Sequence, residues 1–160
     1  MISAIDTNIL LDVLGNDAEF GKDSAELLER QSQLGNLIIS PIVYSELLVF
    51  FLKKDAAKAI SELEEFLKDL DIEVSSFTKE DFNLSAQAWQ GFSDIKNITC
   101  PKCGIKNQFN CKKCNSVFLW RNHLITDFLI GAHAQNHADV LLTRDIGYYK
   151  KYFKIRILSK

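Results

Sequence analysis

The chain opens with the sequence MISAIDTN, residues 1–8, and this stretch decides the fold. Its run over residues 2–6 predicts a short buried strand, and Thr7 with Asn8 can cap a helix that follows directly. A buried strand that passes at once into a helix is typical of a parallel sheet covered by helices. Asp6 ends this strand, where open α/β sheets bind their ligands, so we predict that it belongs to a functional site.

The same alternation of strands and helices continues along the chain. Apolar runs of strand length recur at residues 37–39, 72–74, 140–142 and 155–158. Helical patterns lie between them, at about residues 8–14, 23–34, 41–53, 55–70, 78–92, 118–136 and 148–152. We therefore predict a three-layer α/β/α fold with a parallel sheet of about five strands. Residues 97–116 interrupt the pattern and form an insert.

The length and composition indicate one ordinary globular domain, residues 1–160. Hydrophobic residues make up 47% of the chain and charged residues 25%, and a chain of this length can bury a sizeable core. The formal net charge is -2, so a nucleic-acid site would have to be a local patch. We see no signal peptide pattern and no apolar stretch of membrane-spanning length, so we expect a cytoplasmic protein without membrane contact.

Three further acids occupy positions comparable to that of Asp6. Glu46 lies about one turn into an apolar helix, and Asp127 begins an apolar helical run. Asp145 follows the predicted strand at 140–142. Two carboxylates about 5 Å apart repel by roughly 3 kcal/mol at an effective dielectric near 20, and a divalent cation that prefers hard oxygen ligands, Mg²⁺ or Mn²⁺, offsets this repulsion. The four acids predict metal-assisted phosphate chemistry, with helix caps and surface charges as the alternative.

The insert carries two Cys-x-x-Cys pairs, which are Cys100, Cys103, Cys111 and Cys114. Each pair folds back so that two thiolates meet one metal, and four thiolates suit a structural Zn²⁺. Asn115, directly after the last cysteine, tolerates the positive φ of such a turn. We predict a small zinc-ribbon-like module within residues 97–116, with disulfides, a redox role or an Fe–S centre as alternatives.

Four stretches of the chain resemble the motifs of the PIN domain, the metal-dependent nuclease fold of VapC-type toxins. They are IDTNILL at residues 5–11, SEL at 45–47, DFLIGAHA at 127–134 and LTRDIGYY at 142–149. The motifs follow the family's order, and the resemblance covers nearly all of the chain outside the insert. It implies a sheet of parallel strands and metal-dependent cleavage of RNA.

The resemblance also implies roles for individual residues. Carried over one by one, the residues that would bind one or two Mg²⁺ or Mn²⁺ ions are Asp6, Glu46, Asp127 and Asp145. The ions would activate a water for attack on the phosphate. Asn8 and Thr143 are candidates for orienting these ligands by hydrogen bonds, and capping with turn formation is the alternative for both.

The function that the resemblance implies is that of an endoribonuclease, the toxin of a toxin–antitoxin pair. The expected partners are an RNA substrate and an antitoxin protein, and we expect a homodimer. The apolar helix at 41–53 carries more hydrophobic surface than a lone helix should expose, so part of it could serve either contact. The alternatives are an RNA-maturation nuclease of the PIN fold and a non-catalytic RNA- or protein-binding module built on the zinc knuckle.

Three other ionisable residues receive structural interpretations. Asp12 lies six residues after Asp6, and we predict a charge on the helix surface. His133 and His137 share one helix face because they are four residues apart. No glutamate separates them in a metalloprotease pattern, so we predict an ordinary structural role for both.

Overall fold

A computed structural model of the chain describes residues 1–93, 98–99, 106–107, 113–115 and 126–159. The strands in this part of the chain are β1 (Ile2–Ile5), β2 (Asn36–Ile39), β3 (Ile72–Val74), β4 (Ile98–Thr99), β5 (Lys106–Asn107), β6 (Val140–Leu142) and β7 (Arg156–Leu158). The helices are α1 (Thr7–Leu14), α2 (Gly21–Ser32), α3 (Pro41–Lys54), α4 (Ala59–Asp69), α5 (Lys79–Ser93), α6 (Thr126–His137) and α7 (Ile146–Tyr152).

Five of these strands form one sheet in the order β3-β2-β1-β6-β7, with every neighbouring pair parallel. Ser3 in the central strand is in register with Leu37 on one side and Val140 on the other. The predicted α/β fold with a five-stranded parallel sheet is therefore confirmed. In the insert, β4 and β5 pair in antiparallel fashion, and the zinc-ribbon arrangement predicted there depends largely on residues outside the described ranges.

The direction of chain progression across the sheet reverses between β1 and β6. The first half of the chain adds β2 and β3 on one side of β1, and the second half adds β6 and β7 on the other. Such a reversal opens a crevice beyond the carboxyl ends of the two central strands, where α/β proteins bind ligands. Asp6 and Thr143 directly follow these two strands, so they lie at this crevice.

The helix starts follow from short-range capping. Asp6 caps α1 by accepting a hydrogen bond from the backbone of Thr7, so the cap is Asp6 and not the following Thr-Asn pair. Ser40 caps α3, and Pro41 occupies its first turn. The structure starts α4 at Ala59 and not at Asp55, because the Asp55 carboxylate accepts from the backbone N–H two residues later and closes a turn first.

The amino-terminal half of α6 is held by an aromatic cluster. Phe128 is fully buried, and its ring lies 5.5 Å from Trp89 of α5 and 5.3 Å from Tyr152 of α7 between centroids. Gly131 lies so close to Phe153 that an added Cβ would come within 2.3 Å of the ring. These contacts fix α6 against α5 and α7, and they thereby fix the position of Asp127.

The carboxyl-terminal half of α6 is held by a buried polar cluster. The Asp81 carboxylate of α5 accepts hydrogen bonds from Asn136 (2.7 Å) and pairs with His137 Nε2 (2.8 Å). Nε2 of His133 lies 3.0 Å from the backbone carbonyl of Ser75. The histidines therefore have the structural roles predicted for them.

Within the described residues, no helix is both long enough and apolar enough to span a membrane.

Candidate active site

Asp6 is the central residue of the site because it is held in place from three directions. Its Oδ1 accepts a hydrogen bond from the Thr7 backbone N–H at 2.8 Å. Its Oδ2 accepts from Thr143 Oγ1 and from Asn8 Nδ2, both at 2.6 Å. Only 6% of the residue is exposed. The Thr143 contact crosses the crevice between β1 and β6, so the two central strands jointly orient this carboxylate.

The charged form of Asp6 is disfavoured by its surroundings. The pKa of Asp6 is raised from 3.8 to about 6, chiefly by burial and then by the negative charges of Asp127 and Glu46, which together outweigh the hydrogen bonds from Thr143 and Thr7. The carboxylates of Glu46 on α3 and of Asp127 on α6 therefore both repel that of Asp6 at the crevice. A bound cation would relieve that repulsion.

Glu46 is brought to the crevice by α3 and is held there by a hydroxyl group. The Oγ1 of Thr7, a buried residue, donates a short hydrogen bond to Glu46 Oε2. The sequence pattern predicts Thr7 only as a helix cap, and its contact with Glu46 was not predicted. The position of Thr7 is the signal that could have suggested this contact. Thr7 directly follows Asp6, so its hydroxyl lies at the same carboxyl edge of the sheet as the Asp6 carboxylate.

The other two predicted acids lie on the opposite half of the site. Asp127 is half-buried in the first turn of α6, and its charge acts on Asp6. Asp145 is exposed, and its backbone N–H donates to Thr143 Oγ1 at 3.0 Å. In the described ranges, no three Asp, Glu, His or Cys side chains converge closely enough to hold a metal ion as they stand. Glu46 and Asp127 thus lie close enough to Asp6 for their charges to act on it, and Asp145 is joined to the site through Thr143, but the acids do not form a closed ligand cage.

Asn8 and Thr143 form a small network around Asp6. Besides contacting Asp6, Asn8 Nδ2 lies 3.1 Å from Thr143 Oγ1. The Oδ1 of Asn8 accepts from the backbone N–H of Arg144 at 3.2 Å. Asn8 thus joins the loop after β1 to the loop after β6. Both residues make the contacts that a ligand-orienting role requires, and the role itself stays a prediction.

The donor set fits a hard divalent cation. The acids at the crevice offer carboxylate oxygens, and the neighbouring groups that contact them are hydroxyls and an amide. Carboxylate oxygens are the ligands that Mg²⁺ and Mn²⁺ prefer in proteins. The raised pKa of Asp6 supplies the electrostatic reason for a cation to bind at this crevice.

The cysteine module falls mainly outside the described residues. Cys100, Cys103 and Cys111 lie there, whereas Cys114 is described and exposed. Asn115 has a φ of 57°, the left-handed conformation that a knuckle turn needs after its second cysteine. The described part of the insert does not show a zinc site, and zinc binding stays a prediction.

The prediction that Asp12 is a surface charge is wrong. Asp12 is only 3% exposed, and its Oδ2 accepts from Ser24 Oγ at 2.7 Å. Its Oδ1 accepts from Arg144 Nη2 at 2.8 Å. The carboxylate is buried because α2 covers that side of α1, and a charged partner from the loop after β6 compensates it.

These features define the chain as an α/β protein with acidic residues gathered at the reversal point of a parallel sheet. Residues 4–154 match the PIN domain family, so the chain belongs to that family. No curated protein matches the chain closely enough to add to this assignment.

Several solved structures have a similar fold. VapBC-1 from nontypeable Haemophilus influenzae has a TM-score of 0.66 at 19% identity, over 99% of this chain and 98% of that chain. The structure of VapBC2 from Rickettsia felis bound to a promoter DNA fragment has a TM-score of 0.63 at 21% identity, over 99% of this chain and 98% of that chain. VapC20 from Mycobacterium tuberculosis, described as a sarcin-ricin loop cleaving toxin, has a TM-score of 0.55 at 12% identity, over 96% of this chain and 98% of that chain.

Proposed function

We propose that the protein is an endoribonuclease that cleaves RNA phosphodiester bonds with a water molecule and Mg²⁺ or Mn²⁺, and that it is the toxin of a toxin–antitoxin pair. One observation carries the proposal. Asp6 is buried at the crevice of a PIN-family sheet, and it lies close enough to Glu46 and Asp127 for their charges to raise its pKa. A buried carboxylate whose pKa is raised by neighbouring acids is expected where a protein binds a divalent cation.

The residues that would hold the cation are Asp6, Glu46, Asp127 and Asp145. When bound, the cation would lower the pKa of a water and offset the charge of the phosphate and of the departing oxygen. The chain itself contributes orientation. Asn8 and Thr143 fix the Asp6 carboxylate and Thr7 fixes that of Glu46, so these two ligands lose little freedom when the ion binds.

The toxin role rests on the fold neighbours. Those from Haemophilus and Rickettsia are VapBC structures, and the M. tuberculosis neighbour is described as a toxin that cleaves the sarcin-ricin loop. By analogy we propose an antitoxin partner and an RNA substrate for this chain. Harmless expression of an enzyme that cuts RNA in vitro would favour the RNA-maturation alternative.

The exposed face of α3 offers a surface for the antitoxin or for a second copy of the chain. Leu47 and Phe51 of α3 are buried in the core, whereas Val49 and Leu52 are 49% and 45% exposed. Ile60 at the start of α4 is also exposed. Exposed apolar side chains on neighbouring helices are typical of protein contacts, so we propose that the homodimer or the antitoxin contact uses this face.

We further propose that the four cysteines bind one structural Zn²⁺. The pairing of the cysteines and the left-handed backbone at Asn115 support this proposal. Elemental analysis of reduced, freshly purified protein should find about one zinc per chain, and a Cys103→Ser variant should lose it. Protein that contains no zinc would contradict the proposal without bearing on the nuclease.

The nuclease proposal is tested by cleavage of a mixed single-stranded RNA pool. The wild type should cut RNA with Mg²⁺ or Mn²⁺ and should stop when EDTA is added. Asp127→Asn should abolish cleavage with the fold intact. Glu65→Gln, the same chemical change at an exposed acid of α4, should leave cleavage unchanged. Full cleavage by a folded Asp127→Asn variant would refute the proposed site.

A further inference from the structure

Arg144 lies in the loop after β6, directly beside the proposed metal site. It lies between Thr143, which donates to Asp6, and Asp145. Its backbone N–H donates to Asn8 Oδ1, so its main chain belongs to the network around Asp6. A guanidinium group on this loop has the length and charge to pair with the carboxylates at the crevice.

The guanidinium of Arg144 is held on another side of the loop. Its Nη2 donates to Asp12 Oδ1 at 2.8 Å, and its Cζ lies 4.3 Å from the centroid of the Phe20 ring. The side chain is 36% exposed, whereas that of Asp12 is only 4% exposed. Ser24 Oγ holds the second oxygen of Asp12. Residues from α1, from α2 and from the segment before α2 therefore fix the guanidinium together.

The electrostatics agree with this placement. The pKa of Asp17, in the connection between α1 and α2, is lowered by the backbone N–H groups of Phe20 and Glu19 and also by the charge of Arg144. The pKa of Asp6 is raised, by burial first and then by the acids Asp127 and Glu46. The positive charge of Arg144 thus acts on Asp12 and Asp17, beside α2, while the charges that raise the pKa of Asp6 are those of other acids.

We propose that Asp12 is a positioning residue that holds the Arg144 guanidinium away from the Asp6 carboxylate, so that Arg144 does not compete there with a divalent cation. This inference rests on the proposed metal site. A guanidinium can pair with a carboxylate through two parallel hydrogen bonds, and a released Arg144 would therefore compete with Mg²⁺ or Mn²⁺. A buried, doubly hydrogen-bonded carboxylate on α1 prevents that competition.

A purely structural role makes a different prediction. If the Asp12–Arg144 pair only fastened the loop after β6, then removal of either partner would disturb the site. Removal of both would then disturb it at least as much. If Asp12 keeps a competing cation away, then removal of Arg144 as well should repair the defect that the Asp12 substitution causes.

The test compares four proteins: the wild type, Asp12→Asn, Arg144→Gln and the double variant. Mn²⁺ affinity is measured by isothermal titration calorimetry at low salt, and RNA cleavage is followed as a function of Mg²⁺ concentration. Asp12→Asn should weaken Mn²⁺ binding about 10-fold, the size of one competing charge interaction of about 1.4 kcal/mol. The double variant should return to within about 3-fold of the wild type, although its thermal stability is lower.

Two outcomes would overturn the inference alone: unchanged Mn²⁺ affinity in Asp12→Asn, or a double variant that binds Mn²⁺ as weakly as Asp12→Asn. A wild type that neither binds Mn²⁺ nor cuts RNA would overturn the proposed function as well. If Asp12→Asn does not fold, Phe20→Leu removes only the ring beside the guanidinium. It should weaken Mn²⁺ binding about 3-fold, and Arg144→Gln should reverse that loss.

Discussion

Asp6 at the end of β1 and Asp81 in α5 are both buried carboxylates with several hydrogen-bond donors around them, and their pKa values move in opposite directions. Burial and neighbouring acids raise the pKa of Asp6 to about 6. Burial also raises the pKa of Asp81, but hydrogen bonds from Thr78, Asn136 and His137 outweigh it, so the net pKa is lowered.

The difference separates a structural carboxylate from a functional one. Asp81 is surrounded by donors and by a histidine that can carry a positive charge, so its site is complete within the chain. Asp6 has donors too, but two acids face it. An acid whose pKa is raised by other acids is a candidate ligand for a cation.

The largest effect is expected for Asp6→Asn, which removes a charge from the repulsive cluster. RNA cleavage should fall by more than about 100-fold, because the substitution removes a proposed metal ligand and not only a residue that orients one. The free energy of unfolding without metal should not fall, since the substitution removes a charge that burial, Asp127 and Glu46 disfavour. Urea unfolding in EDTA, together with cleavage assays, measures both. A large loss of stability would mean that Asp6 is a structural acid like Asp81.

Asp81→Ala should give the reverse result. It leaves His137, Asn136 and the Thr78 backbone N–H without their acceptor, and the unfolding free energy should fall by about 3 kcal/mol. Cleavage per folded molecule should change little, because Asp81 contacts the far half of α6 and not its first turn. Chemical denaturation gives the first quantity, and cleavage normalised to folded protein gives the second. A variant of full stability would contradict the structural role.

The pH dependence of stability should differ between the wild type and Asp6→Asn in the absence of metal. Because the folded pKa of Asp6 is about 6 against 3.8 for the ordinary group, its charge costs up to about 3 kcal/mol at neutral pH. That cost disappears as the pH falls from about 6 to about 4. The wild type should therefore gain stability relative to Asp6→Asn on acidification.

The measurement is a set of urea curves for both proteins between about pH 7 and pH 4 in EDTA. Burial, and then the charge of His137, lower the pKa of His133, so His133 contributes a loss of stability as the pH falls below its ordinary value. This loss is common to both proteins and cancels in the difference. A constant difference across the range would show that the folded pKa of Asp6 is not raised.

The positions of the strand ends could be predicted from the sequence because the pattern that marks them is local. Asp6 and Asp145 each follow an apolar run, and the parallel arrangement brings such ends to one edge. The family resemblance added the order of the motifs. The local pattern and the family resemblance together predicted the five-stranded sheet and indicated the acids of the crevice as candidate site residues.

The contacts between distant segments could not be predicted in this way. Asp12 has the appearance of an ordinary helix acid, and only its partner Arg144, 132 residues further along, shows that it is buried and paired. The hydrogen bond from Thr7 to Glu46 spans 39 residues. Hydrophobic periodicity does not encode which polar side chains meet across elements, so these partners require the structure.

The smallest effect is expected at Thr7, whose hydroxyl holds Glu46. Thr7→Val keeps the shape of the side chain and removes the donor, so Glu46 loses its orientation and the Mg²⁺ concentration for half-maximal cleavage should rise about 10-fold. Thr7→Ser, which keeps the hydroxyl, should stay within about 3-fold of the wild type.

A matched substitution removes a hydroxyl beside the structural carboxylate, Asp81. Thr78→Val removes the hydroxyl that accepts from the Asp81 backbone N–H at the start of α5, and it should cost about 1 kcal/mol of stability. It should leave the Mg²⁺ requirement unchanged, because Thr78 supports the cluster around Asp81, which needs no cation. If both valine variants raised the Mg²⁺ requirement equally, the effect would come from loosened packing. If only Thr7→Val raises it, the hydroxyl of Thr7 acts through Glu46.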